Sequence, residues 1–143
     1  MNLLGLIFAI AASITWGLVY TVDQKVLTNL SPLAFLFFSS LISVIVVLPI
    51  ILYLEPASFK IINLGNKGLP LILLAVGLAA LANFFIFSAI KILGSSTASV
   101  FEISYPFFVV IFGLIIFGGA VNLWFILGSI LMFTGAVVII LWG

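Results

Sequence analysis

Residues 97–118 read TASVFEISYPFFVVIFGLIIFG, a run that is long and apolar enough to cross a lipid bilayer as one helix. Glu102 is the only formal charge inside an apolar run of the chain. A carboxylate at bilayer depth costs about 2.5–3.5 kcal/mol on insertion scales, so Glu102 is a candidate for function. Pro106, four residues later, has no N–H to donate to the carbonyl of residue 102, and we expect it to kink the helix.

The composition of the whole chain excludes a water-soluble globular domain. Of the 143 residues, 66% are hydrophobic and 5% are charged, whereas a soluble domain carries about a quarter charged residues. The absence of Cys and His removes thiolate and imidazole metal sites, Cys nucleophiles and His general bases, and the three acids fall in separate segments. We therefore predict an integral membrane protein that is not an enzyme and holds no metal or cofactor. A net charge of +1 gives no basis for nucleic-acid binding.

Five segments reach the length of about 20 apolar residues that a spanning helix needs. They are residues 3–20, 32–54, 69–90, 97–118 and 121–142. We predict an all-α membrane protein, a five-helix transmembrane bundle that forms a single domain over residues 1–143. The polar connection TVDQKVLTNLS, residues 21–31, is expected to lie outside the first two helices. The third and fourth connections are so short that the helices they join are expected to be antiparallel neighbours.

The lysines give no preferred orientation in the membrane. Five spans put the termini on opposite sides, with Lys60 and Lys67 on the N-terminal side and Lys25 and Lys91 on the other. Lysines in short loops normally set the orientation, but here the two sides are equal. Two interpretations stay open. Features outside this count fix one orientation, or the protein inserts both ways and pairs with an inverted copy of itself.

One helical face of the first span carries polar and aromatic side chains. Ser13, Trp16, Gly17 and Tyr20 stand at positions i, i+3, i+4 and i+7, which share a face. This stripe either lines a protein cavity or contributes Trp16 and Tyr20 to an aromatic belt at the membrane surface.

The fourth span repeats this spacing with Ser95, Ser99, Glu102, Tyr105 and Pro106. One interpretation is that Glu102 binds a solute or a coupling proton, because a carboxylate shielded from water takes up a proton more readily. The other is that it snorkels to the surface or is neutral and bonded to Ser99 or Tyr105.

Two further features concern packing between helices. Asn83 is a lone amide in the third span, where it either bonds a neighbouring helix or contacts substrate. Gly128 and Gly135 lie seven residues apart, and hence on one face of the fifth span. Small residues on one face permit close approach of a second helix, so we expect this face to pack in a dimer.

Short motifs distributed along the chain form a recognisable set. They are Trp16-Gly17 near the end of the first span, Ser31-Pro32 before the second, the stretch from Phe87-Ser88-Ala89 through Thr97-Ala98-Ser99 to Pro106, and Gly128 and Gly135 in LGSILMFTGAVVII. This set resembles the EamA domain of the drug/metabolite transporter superfamily over nearly the whole chain. One departure is Gly119 after Gly118, where EamA domains usually carry a Gly-Glu pair. The chain is also distantly similar to small multidrug resistance proteins, but Ile14 and Thr15 stand near the place of their essential glutamate.

The resemblance implies a half-transporter. Most members of the superfamily carry two five-helix domains of opposite orientation, so this chain would work as a homodimer, with its two copies either parallel or inverted, or pair with a related half. It would be a multi-pass protein of a prokaryotic inner or plasma membrane that carries a small organic solute, a drug or metabolite, by alternating access. Trp16, Tyr20, Glu102 and Tyr105 would line its cavity. Two other functions stay open: a non-transporting accessory subunit that stabilises a partner, and half of a flippase for a lipid-linked metabolite.

Overall fold

The computed structural model describes residues 2–57, 65–118 and 122–142, and within these ranges the backbone forms six α-helices and no strand. The helices are α1 (Leu3–Leu27), α2 (Pro32–Leu54), α3 (Gly65–Leu93), α4 (Ser95–Glu102), α5 (Tyr105–Phe117) and α6 (Leu123–Trp142). Because α4 and α5 together make one interrupted span, five segments are long and apolar enough to cross a membrane. The prediction of an all-α membrane protein with five spans is confirmed.

The first helix is longer than the sequence suggested. It continues to Leu27 rather than ending at residue 20, so most of the connection expected outside the helices is helical. Asp23 and Leu27 are buried, at 6% and 1% exposure. They follow Trp16 by seven and eleven residues, a spacing that continues the same helix face. Because residues 21–27 include several polar side chains, the continued helical periodicity is not apparent from the sequence.

The start of α2 follows from two adjacent residues. The Ser31 hydroxyl accepts a hydrogen bond from the Ala34 amide at 3.1 Å, which satisfies one of the amide donors left unpaired at a helix start. Pro32 opens the first turn, where its missing N–H is not needed. Just before this cap, Lys91 Nζ of α3 donates to the Leu30 carbonyl at 2.6 Å. The connection between α1 and α2 is thereby held to α3.

The contacts divide the chain into two compact units. The first comprises Met1–Thr21 and Ile92–Gly143, and the second Val22–Lys91. In the first unit α4 packs against α6, and the rings of Phe107 and Phe133 meet edge to face with their centroids 6.0 Å apart. In the second unit the ring of Phe35 lies 4.7 Å from the buried ring of Phe87, measured between centroids. The single domain expected over residues 1–143 stays a prediction.

Most apolar side chains of the helices are exposed on the isolated chain. Helices α2 and α5, which the structure describes from end to end, contain no buried residue. Such apolar surface needs lipid or another protein against it. The chain is therefore an integral, multi-pass membrane protein.

Candidate functional site

A hydrogen bond between α1 and α4 lies in the first unit. Tyr20 Oη donates to Glu102 Oε2 at 2.5 Å, which joins side chains 82 positions apart in the chain. Tyr20 is buried and Glu102 is half-buried. A hydrogen bond to a charged group contributes about 1.5–3 kcal/mol, so the phenol stabilises the ionised carboxylate. Glu102 thus has a defined polar partner at the depth where an isolated carboxylate would be unfavourable.

The predicted partners of Glu102 are not the ones that the structure shows. The Ser99 hydroxyl donates to the carbonyl of Ser96 in its own helix, at 2.8 Å, as is usual for serine inside a helix. Tyr105 lies beyond the end of α4 and its side chain is 62% exposed. The expectation that Ser99 or Tyr105 bonds Glu102 is therefore wrong, because a residue of another helix supplies the donor.

At Pro106, where a kink is expected, the regular helix is locally broken at Ile103 and Ser104, which keep helical backbone angles. Helix α4 ends at Glu102 and α5 begins at Tyr105, with Pro106 in its first turn. Across the break, the Ile103 amide still donates to the Ser99 carbonyl at 3.0 Å, and the Phe107 amide donates to the Ser104 carbonyl at 3.1 Å. The carbonyl of Glu102 loses its usual donor because residue 106 is proline.

The break gives Glu102 an unusual electrostatic position. It is the last residue of α4, and the C-terminal end of a helix carries a partial negative charge. A carboxylate is unfavourable there, and the hydroxyl of Tyr20 compensates by donating to it. Separation of this pair would therefore make Glu102 ready to accept a different donor or a positive charge.

Trp16 lies one turn before Tyr20 on α1. The two ring centroids are 5.5 Å apart and the ring planes are tilted by 54°. Trp16 is 51% exposed, so one part of its indole packs on Tyr20 while the rest remains open. The geometry brings Trp16, Tyr20 and Glu102 together as the sequence suggested, and both the cavity-lining and the membrane-belt interpretation of Trp16 are compatible with it.

Three other predicted residues lie on α3 and α6. Asn83 is half-buried on α3, in the second unit. Gly128 and Gly135 lie on α6 in the first unit, and a Cβ atom built on either would meet nothing within 4 Å. The face with these glycines is therefore open in the isolated chain, and its role in a dimer stays a prediction.

Asp23 is a buried acid that sequence reasoning missed. It was assigned to the polar connection, but it lies inside α1 with 6% exposure, and its Oδ2 atom has no hydrogen-bond partner. The available signal was its position seven residues after Trp16 and three after Tyr20, which extends the stripe of the first span by one turn. Within the described residues, no group of three or more His, Cys, Asp or Glu could hold a metal ion.

The comparison with protein families gives one result. The family model for the EamA-like transporter family matches residues 3–141 of the sequence, which is nearly the whole chain. No curated protein and no solved structure matches the chain significantly.

Proposed function

Since the chain belongs to the EamA-like transporter family, we propose that it carries a small organic solute by alternating access and binds it beside Tyr20 and Glu102. Membership makes it a membrane transporter of the drug/metabolite superfamily and not an enzyme. The solute, the alternating mechanism, the dimer and the prokaryotic inner or plasma membrane are parts of the proposal.

The observation that carries the proposal is the hydrogen bond from Tyr20 to a carboxylate at the end of an interrupted helix. Transporters place discontinuous helices at their substrate sites, because the free ends of the helix segments offer polar groups inside the membrane. Here the break leaves the C-terminal end of α4, a carboxylate and a phenol at one place.

The chemistry of this group favours a solute with a positively charged amine. Both the carboxylate of Glu102 and the carbonyl end of α4 attract a cation. The exposed part of the Trp16 indole adds an aromatic surface, on which a desolvated cation gains up to about 2 kcal/mol. Nothing comparable favours an anion or an uncharged sugar, so amines are the class to test first.

A thermal-shift screen in mild detergent tests the solute class. We expect amines to raise the unfolding temperature more than amino acids, sugars or nucleosides, since a ligand at 100 times its Kd stabilises a protein by about 2.7 kcal/mol. In Glu102→Gln, loss of the charge should weaken amine binding and transport into proteoliposomes by about 10- to 100-fold.

The matched control is Glu55→Gln, which removes an exposed carboxylate at the end of α2. It should bind and transport as the unchanged protein does. Full amine binding by the Glu102→Gln variant would contradict the site. A stable complex with an unrelated membrane protein, together with no stabilisation by any solute, would favour the accessory subunit instead. Stabilisation by a lipid-linked metabolite alone would favour the flippase half.

A homodimer of inverted copies is the assembly that we propose. Two observations support it: the equal lysine counts on the two sides, and the open face at Gly128 and Gly135. Helices without a hydrophobic driving force associate through such small-residue faces, and inverted pairs of domains are common in transporters.

A further inference from the structure

Asp23 presents a buried carboxyl atom without a partner in the second unit. The side chain is 6% exposed, and no hydrogen-bond donor reaches Oδ2. The other buried side chains described in this unit are all apolar: Leu27, Phe87 and Ile90. Within the described residues, no donor is therefore shown that would stabilise a negative charge on Oδ2.

None of the charged and titratable groups described elsewhere in the unit supplies a hydrogen-bond donor or a counter-charge to Oδ2. Lys25, Tyr53 and Glu55 are exposed, and Lys91 Nζ donates to the Leu30 carbonyl at 2.6 Å. Tyr20, one turn earlier on the same helix, donates its hydroxyl to Glu102.

An ionised and a protonated Asp23 differ greatly in their fit to this environment. A buried charge without a counter-charge or donors is strongly destabilising. A neutral carboxylic acid in the same place carries no net charge, so the penalty for burying it is much smaller. The conformation described here therefore favours the protonated acid.

We propose that Asp23 is the proton-binding group of the carrier. It holds a proton in the conformation that buries Oδ2 and releases the proton when transport exposes the carboxyl to water. The inference rests on the proposed function for its role in transport, but the protonation itself can be measured without any solute. The inference also gives the two acids separate roles. Glu102 accepts a hydrogen bond from a hydroxyl and attracts the solute, whereas Oδ2 of Asp23 has no donor and binds the proton.

A spectroscopic experiment tests the protonation directly, because Asp23 is the only aspartate of the chain. Cell-free synthesis with aspartate labelled by carbon-13 in its side-chain carboxyl places the label at Asp23 alone. The chemical shift of this one resonance, recorded by solid-state NMR in lipid bilayers, distinguishes the acid from the carboxylate. No substitution is needed, so the result does not depend on a variant that folds.

We expect the resonance of a protonated acid at neutral pH, where an exposed aspartate is ionised, and conversion to the carboxylate only in more alkaline buffer. A carboxylate resonance at neutral pH would overturn the proposal. So would a resonance that moves when sodium ions are added at constant pH, since a metal cation would then occupy the carboxyl.

Transport measurements connect this proton to function. In Asp23→Asn proteoliposomes, accumulation of a stabilising amine driven by a pH gradient should fall to the equilibrium level, whereas Glu55→Gln should accumulate it normally. Normal accumulation by Asp23→Asn would overturn the coupling role. If no amine is transported by the unchanged protein, the proposed function fails, while the NMR result still decides whether Asp23 binds a proton.

Discussion

At the scale of single residues, the proposed function depends on how two carboxyls are partnered. The sequence identified Glu102 correctly as an acid in an apolar run, because charge and hydropathy are visible residue by residue. Its partner was not predictable, since nothing local links positions 20 and 102. Asp23 was missed for the opposite reason: its polar neighbours Gln24 and Lys25 indicated a loop, and tertiary packing buried it within a longer helix.

The strength of the Tyr20–Glu102 hydrogen bond can be measured with a double-mutant cycle of Tyr20→Phe and Glu102→Gln. We expect a coupling free energy of about 1.5 kcal/mol, the lower end for a bond to a charged group, because Glu102 is only half-buried. Thermal or denaturant unfolding of the four proteins in the same detergent provides the measurement. Tyr53→Phe, at an exposed tyrosine of α2, is the control and should show no coupling to Glu102→Gln. Additive effects of Tyr20→Phe and Glu102→Gln would contradict the bond.

At the scale of the helix, the break between α4 and α5 places Glu102 at a helix end. Pro106 predicted a disturbance at this point, and the structure shows the regular helix locally broken at Ile103 and Ser104. A proline in a membrane helix is compatible with a kink or with a full interruption. The outcome here coincides with Ser104, whose hydroxyl donates to the Phe101 carbonyl at 2.8 Å and thereby occupies a backbone acceptor near the break.

Pro106→Ala tests the role of the break. Alanine restores the N–H and removes the ring, so we expect α4 and α5 to join and the carboxylate to turn with the helix away from Tyr20. Hydrogen exchange of the amides at residues 105–107 should slow, and solute transport should fall. Pro49→Ala inside α2 is the matched control, because it removes a helix proline far from Glu102 in sequence. Undiminished transport in Pro106→Ala would mean that the break is not needed.

At the scale of the whole molecule, one chain leaves much of its apolar surface open. The number of spans could be predicted from the sequence, since twenty apolar residues in a row are hard to mistake. The assembly could not, because helix faces that contact lipid and helix faces that contact protein have almost the same composition. Experiments on the open glycine face of α6 can show whether this helix face contacts lipid or protein.

We expect Gly128→Leu and Gly135→Leu together to weaken dimerisation by about tenfold, or about 1.4 kcal/mol, because their side chains would hold the facing helix away. Energy transfer between labelled copies in liposomes measures the dimer. Gly77→Leu in α3 is the control. A Cβ atom there also meets nothing within 4 Å, so this substitution should disturb the fold of the monomer as little as the two α6 substitutions do.

Orientation is measured separately, by labelling a single cysteine in intact cells. The chain has no native cysteine, so Asn2→Cys provides a unique label. Inverted copies predict labelling of this residue from both sides of the membrane in intact cells. Labelling from one side only would exclude the inverted pair, and an unchanged dimer in the glycine double variant would exclude the α6 face.

The 82 positions between Tyr20 and Glu102 also set the order of events during synthesis. At about 5–20 residues per second, the ribosome makes Glu102 roughly 4–16 s after Tyr20. The first span therefore enters the bilayer before the acceptor for its phenol has been made. When the fourth span follows, the donor for its carboxylate is already in the membrane. We expect the two groups that we propose to bind solute to help the later span to insert into the membrane during biogenesis as well.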